Sequence, residues 1–189
     1  MQSLGYWTIG AQFLRLVHES CDELINSGNK HVVLTDSPLP PEEYGELTRW
    51  SDHSVGIPVL FNFFHGIELV LKGFLAANGK VPRHHRLTDL LRDFEAYYPN
   101  TALGASLDSS IRKIGSDTPF GRFLGANSIQ IDSWYESLKY PESNSGQLFT
   151  HFDLKYGGVD AVPFWTGIQT ASATIRSQAV ALSRSLGLT

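Results

Sequence analysis

Apolar residues recur at alternating three- and four-residue steps over three long stretches of this chain, the spacing that lines one face of an α-helix. Leu4, Trp7, Ala11, Leu14, His18, Cys21 and Ile25 form the first stripe, and Gly28 follows as a natural terminator. Leu60, Phe63, Phe64, Ile67, Val70, Leu71 and Phe74 form the second, predicting a helix over 57–78 with Pro58 in its first turn and Gly79 at its end. Trp165, Ile168, Ser172, Ile175, Ala179, Leu182 and Leu186 form the third, over 163–186. This last stripe is close to a heptad seam, and its small residues let a second helix approach, the one sign in the pattern of a homodimer. A shorter helix is expected over 87–98 before Pro99, with another turn or two over 107–114.

Between these stretches the periodicity fails. Residues 29–56 contain HVVLTDSPLPPEEYGEL, where Pro38, Pro40 and Pro41 forbid a regular helix, and one helical turn is expected near 42–50. Residues 115–150 are rich in Gly, Ser, Asn and Pro, with a short helix expected inside SIQIDSWYESLKYP. Gly157-Gly158 gives 151–162 the turn chemistry of a small hairpin or an irregular excursion. Strand signals are few and short. The pattern therefore predicts an all-α fold, an antiparallel bundle of four to five helices in one domain over 1–189, with long irregular insertions at about 29–56 and 115–162.

Composition narrows the function. With 189 residues, 42% hydrophobic and 18% charged, the chain has the make-up of one soluble globular domain. A net charge of −4 excludes a surface that coats nucleic acid indiscriminately, so any anion site must be a local basic patch. The single cysteine, Cys21, excludes an internal disulfide and a cysteine zinc cluster, and its place in the first stripe makes it a packed thiol. The first residues lack a basic segment followed by an apolar run, and no run approaches the roughly 18 apolar residues of a membrane span. A cytoplasmic protein with no membrane partner is the expectation.

Two clusters carry candidate chemistry. On the helix over 57–78, Phe61, His65, Glu68 and Lys72 form a second stripe away from the apolar one, with Glu68 four residues ahead of Lys72. A solvated ion pair worth about 0.3–0.5 kcal/mol accounts for that spacing as well as a functional couple does. Further on, Arg83, His84, His85 and Arg86 precede a helix N-terminus, whose free N–H groups attract anions, and Arg matches phosphate with two parallel hydrogen bonds. An exposed basic loop balanced by Asp89 and Asp93 is the alternative. Adjacent His84 and His85 point apart, no HExxH spacing occurs, and the pair His65 and Glu68 falls short of the three or four ligands a metal needs. No metal site and no cofactor are expected. Trp134, Tyr135, Tyr140, Phe149, Phe152, Tyr156, Phe164 and Trp165 crowd the last third of the chain, where they either fill space under the loops or stack on bases.

The order of these residues resembles a known signature. ELVLKGFLAANGKVPRHHRLTDLL, about 24 residues, is similar to the core of HEPN domains: a glutamate, Leu-Lys, a Gly-containing turn, then His, Leu and Leu-Leu. Glu68, Leu71-Lys72, Gly79, His85, Leu87 and Leu90-Leu91 fill those places, and Lys139, Tyr140 and Pro141 resemble the family's Arg-Tyr-Pro segment. The resemblance implies a helical bundle, often dimeric, that binds nucleotide or RNA, with Lys72, Arg83, His85, Arg86, Glu68 and His65 as the anion site and Lys139 and Tyr140 as secondary contacts. It also implies a toxin–antitoxin or defence setting, with a nucleotidyltransferase-type protein as partner. Many members are metal-independent ribonucleases that carry an Arg followed after four to six residues by His. No Arg here has a His at that distance; Arg49 and His53 come nearest, with three residues between them. The expected function is therefore a non-catalytic module with no catalytic residue assigned, and a ribonuclease with a non-standard centre is the alternative.

Overall fold

The computed structural model describes residues 2–188, and 68% of the structure is helix. Three long helices form the frame: α1 (Gln2–Asn26), α3 (Asp52–Ala77) and α9 (Ala161–Ser185). Shorter helices α2 (Pro41–Thr48), α4 (Leu87–Tyr97), α5 (Ala102–Ile111), α6 (Pro119–Ala126), α7 (Trp134–Ser137) and α8 (Phe152–Lys155) pack around them. No strand occurs among the described residues, and the only sheet-like contact is one antiparallel bridge between Glu142 and Leu148. The expected all-α bundle is what forms.

Helix α1 runs antiparallel to α3, Trp7 lying against Gly73 and Leu14 against Gly66. Glycine is required there, because a Cβ on Gly73 would stand 2.4 Å from the Trp7 indole. Helix α9 is antiparallel to α1 on its other side, with His18 Nδ1 3.2 Å from the Gln169 carbonyl. His18 is thus the core-edge histidine its place in the stripe suggests. The α9 seam is occupied within the molecule: Trp165, Ser172 and Ile175 are at most 1% exposed. Cys21 is fully buried, and burial pushes its thiol up to about 12.

Several boundaries differ from the expectation. Helix α3 begins at Asp52, so Pro58 lies inside it and removes one backbone hydrogen bond. Tertiary contacts hold the early turn in place: the Asp52 N–H donates to Asn29 Oδ1 at 2.7 Å, and Asp52 Oδ2 accepts from the Gly157 N–H at 2.8 Å. The C-terminus follows the expected rule, Gly79 adopting φ +74° while Lys80 N–H reaches back to the Leu75 carbonyl at 3.0 Å. In the second insertion, Thr118 caps α6 by accepting from the Gly121 N–H at 3.0 Å, with Pro119 opening the helix. Arg122 ties this region together through Asp153 at 3.1 Å and Asp160 at 3.0 Å, and residues 151–162 form a helical turn rather than a hairpin.

Helix α3 also has the length and apolarity of a membrane span, with mean hydropathy 1.6, which the sequence expectation did not foresee. Its apolar residues face other helices, with Leu60, Ile67, Leu71, Phe74 and Leu75 showing no exposed surface. A helix buried on most sides reads as continuously apolar for that reason.

Candidate functional site

The middle of α3 turns a carboxylate into the core. Glu68 is 1% exposed and Lys72 7%, so their 2.6 Å ion pair is buried rather than solvated. Two histidines complete the cluster. His65 Nδ1 is 3.2 Å from Glu68 Oε2, and His85 Nδ1 is 2.9 Å from Glu68 Oε1. Burial alone pushes the Glu68 carboxyl up, but hydrogen bonds from His65 and Lys72, with the nearby charges of Lys72 and His85, outweigh it and hold the group below the ordinary glutamate value.

His85 reaches Glu68 because of how the chain travels between α3 and α4. His85 is level with Glu68, Phe94 packs on Phe74, and the Tyr98 hydroxyl meets the Asn78 amide at 2.6 Å. These contacts advance together, so the segment after Gly79 doubles back along α3 and α4 then runs alongside in the same sense. The juxtaposition is not the bend of a simple helical hairpin. Trp134 fixes the returning segment, its indole N–H donating to the His85 carbonyl at 2.9 Å.

Aromatic packing then sets the imidazole planes. His85 lies flat on Tyr135, ring centroids 3.8 Å apart and planes 13° apart. Phe61 stacks on His65 at 5.9 Å and also contacts Trp134 and Tyr135. Phe13 meets the His65 edge at 4.7 Å. On the solvent side, Lys139 Nζ donates to the Tyr135 hydroxyl at 3.1 Å and lies 5.1 Å from the Tyr140 ring centroid. Hydrogen bonding to Tyr135 and Tyr140 raises the Lys139 ammonium above its ordinary value. Helix α3, the returning segment and α7 with its C-terminal extension thus supply one surface, which joins the secondary pair Lys139 and Tyr140 to His85.

The helix entry differs from expectation. The N-terminus of α4 is occupied by the protein's own carboxylate: Asp132 Oδ1 accepts from the Thr88 N–H at 2.9 Å, and Oδ2 accepts from the Thr88 hydroxyl. Arg86 pairs with Asp89 at 3.0 Å and lies 3.8 Å from Asp132. Lys72 is likewise neutralised by Glu68. Among the described residues the cations of this region without an acidic partner are Arg83, which is exposed, and Lys139. Sequence reasoning missed Asp132, and it placed Tyr135 only among the crowded aromatics of the last third of the chain, without its stack on His85.

A carboxylate on Nδ1 fixes the proton of a neutral imidazole there and leaves Nε2 as an acceptor facing outward. The cluster therefore holds two oriented imidazoles, partly exposed, with the exposed Lys139 ammonium on Tyr135 and the exposed Arg83 two positions ahead of His85 in the chain. Such a surface can accept phosphate oxygens, stack a planar ring, or move a proton at His85 Nε2 or His65 Nε2. Among the described residues no group of three or more His, Cys, Asp or Glu side chains is arranged to hold a metal ion. No family model matches the sequence, and comparison with curated proteins and with solved structures likewise finds no match.

Proposed function

We propose that this chain is an HEPN-like helical module that binds a phosphate-bearing ligand, a nucleotide or single-stranded RNA, on the face built from His85, Tyr135, Lys139 and Arg83. The observation that carries this reading is the His85–Tyr135 stack, pinned at one edge by Glu68 and bordered at the other by Lys139. Glu68 and Lys72 act as the internal brace rather than as ligand contacts. Arg83 and Lys139 meet phosphate, the imidazoles accept hydroxyl protons, and the aromatic edge receives a base. Motif order supports the same reading, since Glu68, Lys72 and His85 come together in space as well as in sequence.

Titration of the full chain with a fluorescent nucleotide and a short labelled RNA tests it. Arg83→Ala/Lys139→Ala should weaken binding at least about tenfold, since each charged hydrogen bond contributes about 1.5–3 kcal/mol. Affinity equal to wild type would remove the face as the site.

One observation favours a second reading, a metal-independent ribonuclease. Two imidazoles sharing one carboxylate can supply a base and an acid for attack of a 2′-hydroxyl on its own phosphodiester. Cleavage of labelled RNA in the presence of EDTA, lost in His85→Ala, selects this reading; intact RNA excludes it.

A further inference from the structure

A cavity of about 400 Å³ lies between the first half of α1 and the second half of α9, within the size range of small-molecule sites. Trp7, Ala11 and Ala179 line it, together with Val70 of α3, which is 2% exposed and lies at its base. Leu4 and Val180 are 52% and 45% exposed, so the apolar lining continues to the surface. The alanines account for the space. Ala11 stands between Trp7 and Leu14, and Ala179 between Ile175 and Leu182, so both stripes shrink there to a methyl group. Val70 is two residues beyond Glu68 and about 200° round α3 from it, which puts this cavity on a different side of the helix from the Glu68 face.

Two guanidinium groups border the cavity, Arg176 and Arg184, and no Asp or Glu lines it. That is unusual in this acidic chain. Arg15, Arg49, Arg86, Arg92, Arg112 and Arg122 each pair with Asp or Glu. Arg176 and Arg184 make no ion pair among the described residues. The two differ in what else they face. Arg176 is half-buried and has the Glu19 carboxylate within electrostatic reach, whereas Arg184 is exposed. Helical side chains lean toward the helix N-terminus, which carries Arg184 back over the turn of Val180 at the cavity mouth. The same lean leaves the methylene stem of Arg176 at the opposite end.

We propose that this cavity binds an amphipathic carboxylate, a linear hydrocarbon chain ending in one carboxylate group. The chain lies on Trp7, Val70, Ala11 and Ala179, and Arg184 holds the head group. A guanidinium fork matches the two oxygens of a carboxylate, and its single charge balances a monoanion. Burial of the chain supplies affinity, while the head group selects an acid over an alcohol of the same length. The inference is independent of the ligand proposed for the Glu68 face.

Calorimetric titration of the full chain with decanoate and with decanol tests it. Decanoate should bind at one saturable site, and decanol, which lacks the charge, about fivefold more weakly or worse. Arg184→Ala should reduce decanoate to the level of decanol and leave decanol unchanged. Arg176→Ala should matter less than Arg184→Ala. Ala179→Trp fills the cavity and should abolish binding of both probes, with circular dichroism showing that the helices remain. Arg184→Ala is a surface change, so its comparison decides even where the filled variant is unstable. No saturable decanoate binding, equal affinity for the two probes, an Arg184→Ala chain that prefers decanoate as wild type does, or full binding by folded Ala179→Trp would each overturn the proposal.

Discussion

His85 Nδ1 lies 2.9 Å from Glu68 Oε1 although the two residues are 17 positions apart in the chain. The contact locks the segment returning along α3, and with Trp134 bonded to the His85 carbonyl it positions α4 beside α3. The cluster is therefore as much a structural joint as a chemical centre, and its energetics are open to measurement.

Lys72→Met leaves the Glu68 carboxylate buried without its ammonium. Breaking one side of a buried pair costs about 3–5 kcal/mol, whereas replacing both partners by apolar groups is often near neutral. Urea denaturation should show Lys72→Met strongly destabilised and Glu68→Met/Lys72→Met recovering much of the loss. A Lys72→Met chain as stable as wild type would mean that the pair is solvated after all.

Acid should unfold the protein partly through Glu68. Its carboxyl is held below the ordinary value of 4.5 in the folded chain, so its contribution is complete above that pH and disappears as pH falls through the lower, folded value. Stability measured at a series of acidic pH values should fall less steeply for Glu68→Gln than for wild type. Identical slopes would deny Glu68 this role.

Cys21 makes the opposite prediction in alkali. Burial raises its thiol from 9.0 to about 12, so the folded state retains the proton that the unfolded chain gives up. Its contribution is whole below pH 9.0 and declines between that pH and about 12. At neutral pH the thiol should react with a disulfide reagent only as fast as the chain opens. Immediate stoichiometric labelling of folded protein would contradict the packing.

Gly73→Ala drives a Cβ to 2.4 Å from the Trp7 indole and should cost about 1–3 kcal/mol in thermal unfolding. Gly167→Ala, in α9 with open space around it, should stabilise by about 0.5–1 kcal/mol from helix propensity. A tolerated Gly73→Ala would mean that α1 and α3 stand further apart.

The three long helices were legible because each needs one apolar face, and that need writes a 3.6-residue period into the chain. The start of α3 was not, because Asn29 and Gly157 hold Asp52 in place from distant parts of the sequence, overriding the usual meaning of Pro58. At the candidate site, the spacing of Glu68 and Lys72 and the motif order marked residues that the fold brings together. Their burial was invisible, since i,i+4 spacing looks the same on a wet face and a dry one. The basic run 83–86 suggested more free charge than exists, because Asp132, arriving from a Ser- and Asn-rich segment with no periodic signal, fills the entry of α4 and lies beside Arg86. Tyr135 stood among the aromatics of that region, but nothing in its spacing pointed to His85.

The most direct test of the proposed ligand face is imidazole nuclear magnetic resonance of the full chain as a nucleotide or a short RNA is added. The seven histidines are spread over the molecule and serve as local reporters. Binding at the proposed face should move the ring resonances of His85 and His65 while His18, His31 and His53 stay in place. Shifts confined to those distant histidines, or none with any nucleotide or RNA, would contradict it.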